Sequence, residues 1–163
     1  MRFSDFCFCD FEASSLSKES YPISFGWHSD FTSGQLYIVP ESDWLDWSDE
    51  SERIHGISRK FLEGNGLPAY IVANELNSRF YGRILVCDCL HFDSMWLMRL
   101  YSDLKMSPSF ELIDVSELSH LNEDDLGRIY SRIKSECTHD ACDDAMLLHD
   151  CVREITEEKN LLK

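Results

Sequence analysis

A chain of 163 residues, 44% hydrophobic and 28% charged, has the composition of a folded globular protein and excludes a disordered one. Its formal net charge of −15 argues against holding nucleic acid through a broad basic surface. The longest apolar runs, such as Ile84-Leu85-Val86-Cys87, are strand-sized, too short to span a bilayer.

No charged segment followed by a long apolar stretch opens the chain at Met1-Arg2-Phe3-Ser4-Asp5, so a signal peptide is not expected and the protein is predicted to be cytoplasmic. Seven cysteines occur without a C-x-x-C pair. Cys7 with Cys9, and Cys87 with Cys89, are spaced to share one face of a strand. They are expected as reduced core residues rather than a zinc or disulfide site.

In chain order, the nearly continuous apolar run Phe3 to Asp10 predicts a central strand buried on both faces. Tyr21 to His28 alternates and predicts a second strand. Gln35 to Val39 predicts a third, after the turn signal Thr32-Ser33-Gly34. A loop rich in Trp and acid, Glu41 to Asp49, follows. Pro68 at a first helical turn opens a helix whose core face is Ala69, Ile71, Val72, Leu76 and Phe80, ending at Gly82.

Ile84 to Cys87 predicts another buried strand. Phe92 to Tyr101 predicts a helix with Phe92, Trp96 and Leu100 on one stripe, flanked by Met95 and Leu97. Phe110 to Ile113 predicts a short strand. Asn122 caps a helix to about Lys134, with Leu126, Ile129 and Ile133 inward. A last helix from about Asp140 to Lys159 turns Ala141, Ala145, Leu148, Val152 and Ile155 inward. There is no repeat, low-complexity tract or Pro/Gly/Ser-rich linker. The chain reads as one domain, residues 1–163, with an α/β layered fold and a mixed sheet.

Three groups of residues could carry chemistry. In Asp10-Phe11-Glu12, the period of a strand puts both carboxylates on one face. Two carboxylates that close repel unless a cation lies between them, and oxygen ligands suit Mg²⁺ or Mn²⁺. Asp93 follows a strand end, where open α/β sheets bind ligands; by itself it could simply favour the dipole of its helix. In His139-Asp140-Ala141-Cys142-Asp143-Asp144, a histidine precedes a helix carrying several acids, and helical geometry alone leaves Asp143 and Asp144 both open.

Together these pieces resemble the DEDDh exonucleases of the DnaQ-like superfamily. That family has a D-x-E on the first strand, an aspartate after the fourth, and H-x-x-x-x-D opening a late helix. The positions that match are Asp10 and Glu12, Asp93, and His139 with Asp144, so the resemblance covers nearly the whole chain. Glu12-Ala13-Ser14-Ser15-Leu16 is similar to the family's acid-small-small-hydrophobic run. His55-Gly56-Ile57 is similar to its H-G-I segment, and Tyr21 to Trp27 to its second strand. Two positions depart: Cys89 stands where Asn is frequent, and Asp88 where His is common. The length is most similar to the small stand-alone exoribonucleases of bacteria and their phages.

The resemblance implies an RNase H-like mixed sheet flanked by helices, its first three strands antiparallel and the rest parallel. It implies a 3′→5′ exonuclease that releases nucleoside 5′-monophosphates from a nucleic-acid 3′ end, RNA favoured over DNA. Asp10, Glu12, Asp93 and Asp144 would hold two Mg²⁺ or Mn²⁺ ions. His139 would act as general base, making activity rise with pH through about 6 to 7. Leu16 would wedge against the terminal base, with Ser14, Ser15 and His55 around the terminal nucleotide.

The acidic surface predicts weak, distributive substrate binding. Arg128, Arg132 and Lys134 form a basic run, expected as a solvated helix face rather than a phosphate contact. A homodimer is the default oligomer. Three rivals remain. An all-helical HD-type phosphohydrolase could use His120, His139-Asp140, His149-Asp150 and Asp144. An acidic nucleic-acid mimic would spread its carboxylates over the surface. A catalytically inactive relative could serve as a binding module.

Overall fold

The computed structural model describes residues 3–102 and 104–161; Met1 and Arg2 of the N-terminal segment read above lie outside them. One six-stranded sheet organises the chain. Strand β1 spans Phe6–Ala13, β2 Pro22–His28, β3 Ser33–Val39, β4 Leu67–Pro68, β5 Ile84–Cys87 and β6 Glu111–Asp114. Their order across the sheet is β4-β3-β2-β1-β5-β6. β1, β2 and β3 pair antiparallel, whereas β5 runs parallel to β1, and β6 to β5. The helices are α1 Asp49–His55, α2 Arg59–Asn65, α3 Ala69–Arg79, α4 Leu90–Tyr101, α5 Glu123–Glu136 and α6 Ala141–Leu161. The sheet overturns the all-helical phosphohydrolase reading. No described helix is long and apolar enough to cross a membrane.

β1 is the central strand that its apolar run predicts, and the pleat divides its side chains between two cores. Cys7, Cys9, Phe11 and Ala13 point into one core with Val72, Leu76, Trp96 and Leu100 of α3 and α4. Phe6 and Phe8 point into the other with Ile129 of α5 and Leu148, Val152 and Ile155 of α6. Each large apolar side chain buried this way contributes roughly 1.5–3 kcal/mol. Asp10 and Glu12 continue the Phe6–Phe8 face beyond the apolar cover.

Several boundaries differ from the sequence reading. β1 starts at Phe6, after a single 3₁₀ turn at Phe3–Asp5, and runs on to Ala13 because β2 keeps pairing with it to Pro22. The short helices α1 and α2 were not expected. Their signals are caps: Ser48 accepts from Ser51 N, Ser58 accepts from Phe61 N, and Gly56 ends α1 at φ +73. Seven residues are too few to show a periodic apolar stripe, and α1 has no buried residue.

Pro68 belongs to the two-residue strand β4 and caps α3. Ile71 is exposed rather than a core residue. The buried positions Ala69, Val72, Ala73 and Leu76 set the inner face of α3, and Ile71 lies about 200° from Ala69 and from Ala73. α4 begins at Leu90, two residues early, so Cys89 is its exposed N-cap and shares no strand face with buried Cys87. The predicted inner face of α6 is buried throughout.

Gly26 of β2, the register partner of Asp10, sets where α6 begins. An added Cβ there would lie 2.1 Å from the Ala141 carbonyl carbon and 2.2 Å from Cys142 N. Bare backbone is therefore required for the first turn of α6 to cross the sheet beside Asp10. Gly26→Ala is expected to destabilise the protein by about 1–3 kcal/mol in urea unfolding. Gly127→Ala, within α5 and facing open space, is expected to stabilise it by about 0.5–1 kcal/mol. Equal behaviour of the two variants would refute the close crossing.

Candidate active site

The carboxyl ends of β1 and β5, the first turn of α4 and the start of α6 meet around a cavity of about 240 Å³. Asp10, Glu12, Asp88, Asp93, His139 and Asp144 all line it. Two tighter groups lie within it. Single ligand atoms of Glu12, His139 and Asp144 are within 4.8 Å of one another, and so are those of Asp10, Asp88 and Asp93. Of Asp143 and Asp144, both open in the sequence, Asp144 lines the cavity and Asp143 is exposed outside it.

Local structure fixes each group. Asp10 and Glu12 are held by the β1–β2 ladder. Asp93 is 2% exposed in the first turn of α4, and its Oδ2 is buried without a hydrogen-bond partner. Asp144 Oδ1 accepts from Thr138 N at 2.8 Å, and Oδ2 from His139 N at 2.9 Å. That pair of bonds ties the loop before α6 to the helix and holds His139 at φ +59, a left-handed conformation that a non-glycine residue adopts only under constraint. Asp140 caps the helix, accepting from Cys142 N and Asp143 N. His139 Nε2 lies 3.6 Å from Cys137 Sγ.

The electrostatics follow from this crowding. Burial, then the charges of Asp93, Glu12, Asp88 and Asp144, pushes Asp10 well above the usual carboxylate range. Burial and then Asp88 do the same to Asp93, against hydrogen bonds from Cys87 and Cys89. Glu12 is raised to about 8 by burial, then by Asp144, Asp140 and Asp93. Asp88 and Asp144 are also raised, burial leading in both. Converging oxygen donors, one of them buried and unpartnered, fit a divalent cation, whose charge would replace the protons these groups otherwise need.

Leu16 is 69% exposed at the rim of the cavity, so it is not a core leucine. Ser14 and Ser15 are buried, and their hydroxyls donate to Asp46 Oδ2 at 3.0 and 2.6 Å. Burial raises Asp46, but hydrogen bonds from Ser15, Ser17 and Ser14 outweigh it and hold the carboxyl below its ordinary value. These two serines therefore brace the loop behind Leu16 instead of presenting free hydroxyls to the cavity.

His55 Nδ1 accepts from Ile57 N at 3.0 Å, while Nε2 is buried without a partner. Burial, and then the nearby charge of His139, lowers its pKa although Glu52 opposes them. Arg128 is paired with Glu158, and Arg132 with Glu154 and Glu136, so both guanidiniums are taken by carboxylates. The sequence reading missed Asp88 as a site acid; its place one residue past the strand end that delivers Asp93 was the available signal.

No protein-family model matches the chain, and no curated protein sequence matches it. Solved structures do. The zinc-ion-bound form of the E. coli ExoI–ssDNA complex is 15% identical and covers 95% of this chain with a TM-score of 0.74. E. coli Exonuclease I in complex with a dT13 oligonucleotide is 14% identical and covers 96%, with a TM-score of 0.73. A moderately thermophilic Exonuclease I from Methylocaldum szegediense is 15% identical and covers 91%, with a TM-score of 0.66. The chain spans 40 to 42% of the length of these three proteins. The likeness establishes the RNase H-like α/β fold, with its mixed six-stranded sheet flanked by helices.

A carboxyl raised in the folded state binds more protons folded than unfolded, so acidification stabilises the fold. For Glu12 the window runs from its ordinary 4.5 up to about 8. Above it the full penalty of the charged form is present; below it the penalty is gone. In EDTA, the melting temperature is therefore expected to rise as pH falls from about 8.5 to about 7, above the range in which His28, His55 and His120, held below their ordinary value by burial, begin to oppose the trend. Saturating Mn²⁺ should flatten or reverse that trend. A flat profile in EDTA would show that the carboxylates are not crowded.

Proposed function

We propose that this protein is a metal-dependent 3′→5′ exonuclease that removes nucleoside 5′-monophosphates from a nucleic-acid 3′ end. The observation that carries the reading is the convergence of Asp10, Glu12, Asp93, Asp144 and His139 on one cavity. Those are the five residues that the sequence resemblance assigns to the chemistry. The shared fold with exonuclease I supports it, and the complexes of that enzyme with single-stranded DNA make DNA the natural comparison for the RNA that the sequence resemblance favours.

Divalent cations bound by the four carboxylates, Mg²⁺ or Mn²⁺, would supply positive charge for the phosphate and the departing 3′-oxygen. The chain's own groups do the rest. Asp10 and Asp93 anchor the inner end of the site, while Glu12 and Asp144 hold the outer end beside His139. Asp144 fixes the backbone of His139, so the imidazole stays at the cavity mouth next to Glu12. His139 takes the proton of the attacking water as its oxygen joins phosphorus and the P–O3′ bond breaks. Leu16 and Phe92 give the cleft an apolar side against which a terminal base can pack.

The test is end-labelled RNA and DNA oligomers incubated with Mg²⁺, Mn²⁺ or EDTA. A ladder shortening from the 3′ end only with metal is expected. Asp10→Ala should lower the rate on the order of 10³-fold or more and leave the circular dichroism spectrum unchanged. His139→Ala should cost about 10²–10⁴-fold and still bind Mn²⁺. Near-normal turnover by Asp10→Ala would refute the assignment. Shortening of RNA at least as fast as DNA is expected; a preference for DNA would overturn the substrate class alone.

A further inference from the structure

We infer that Asp88 is a fifth acidic ligand, sharing one divalent cation with Asp10 and Asp93 at the inner end of the cavity. The inference deepens the exonuclease reading and rests on it. Three observations carry it. First, single carboxylate oxygens of Asp10, Asp88 and Asp93 lie within 4.8 Å of one another, close enough for one ion with bonds of about 2.0–2.6 Å to touch all three. Second, Asp93 is 2% exposed and its Oδ2 is buried with no hydrogen-bond partner, so a buried oxygen in this group lacks the partner that such atoms nearly always have.

Third, the position of Asp88 follows from the backbone. β5 ends at Cys87, register partner of Asp114 on β6, and α4 starts at Leu90. Asp88 therefore occupies the two-residue corner between strand and helix. Its side chain lines the cavity alongside Asp10 and Asp93.

A neutral residue there would leave the inner ion with Asp10 and Asp93 as its carboxylates; Asp88 adds a third. Tighter retention of metal should follow, on a protein whose surface charge already concentrates cations.

The test uses the full chain with MnCl₂ alone, measured by titration calorimetry and by the rise in melting temperature. Asp88→Asn is isosteric and removes a like charge, so its melting temperature in EDTA should equal or exceed that of the unaltered protein. Its affinity for the tighter Mn²⁺ site should fall by about tenfold or more. The loss should persist in 1 M KCl, where the screening length is about 3 Å and long-range attraction is removed. Asp124→Asn, at the exposed start of α5, is the control for net charge and should leave affinity unchanged.

Unchanged Mn²⁺ affinity in Asp88→Asn, or a loss that vanishes in 1 M KCl, overturns the ligand role while leaving the exonuclease reading standing. Absence of Mn²⁺ binding by the unaltered protein overturns both.

Discussion

The whole arrangement depends on like charge held together against its own repulsion. At the 4.8 Å that bounds the Asp10–Asp88–Asp93 group, two unit charges repel by about 3 kcal/mol at an effective dielectric of about 20. Several such pairs would consume a stability of about 5–15 kcal/mol. These carboxylates therefore cannot all be ionised in the folded protein without compensation. They must hold protons, as their raised pKa values express, or share cations. Buried acids whose charged forms disfavour each other in a cleft are candidates for a functional site.

What holds the acids together is the hydrophobic order of the sheet and its helices. β1 is fixed on both sides by packed side chains, Phe11 and Cys9 toward α3 and α4, Phe6 and Phe8 toward α5 and α6. A one-residue slip of β1 would exchange those sets and turn Asp10 and Glu12 into the other core. The same register places Gly26 opposite Asp10, and the missing Cβ lets α6 deliver Asp144 and His139. Burial of apolar groups along one strand thus holds the site together against its own electrostatics.

The basic residues show the same economy. Arg128 and Arg132 join α5 to α6 through Glu158 and Glu154. Exposed pairs like these contribute little to stability, about 0–1 kcal/mol each, yet each sets a carboxylate beside a guanidinium and offsets its charge. Contact with a polyanion near the cleft would then run through bound cations more than through side chains.

How much of this was readable in the sequence depended on the range of the signal. Period two told that Asp10 and Glu12 share a face, because the apolar run around them is continuous. The inner face of α6 was readable for the same reason: twenty-one residues give a stripe several turns long. Asp144 was not separable from Asp143, since the choice depends on where a helix sits over a sheet. Asp88 was hidden because a strand-to-helix corner has no period to say where its side chain points. Ser14 and Ser15 looked free for substrate because their partner, Asp46, is over thirty residues away.

Mimicry of nucleic acid would not account for the carboxylates of this cleft. A mimic needs charge that is exposed, ionised and spread to match a phosphate array. The carboxylates of this cleft have the opposite character. Asp93 is buried, Asp10 and Glu12 are half-buried, and all three are pushed toward their neutral forms. Charge that is hidden and partly extinguished cannot repel or imitate anything at a distance. It can hold a cation at close range, and that is the one role in which burial, convergence and raised proton affinity all act in the same direction.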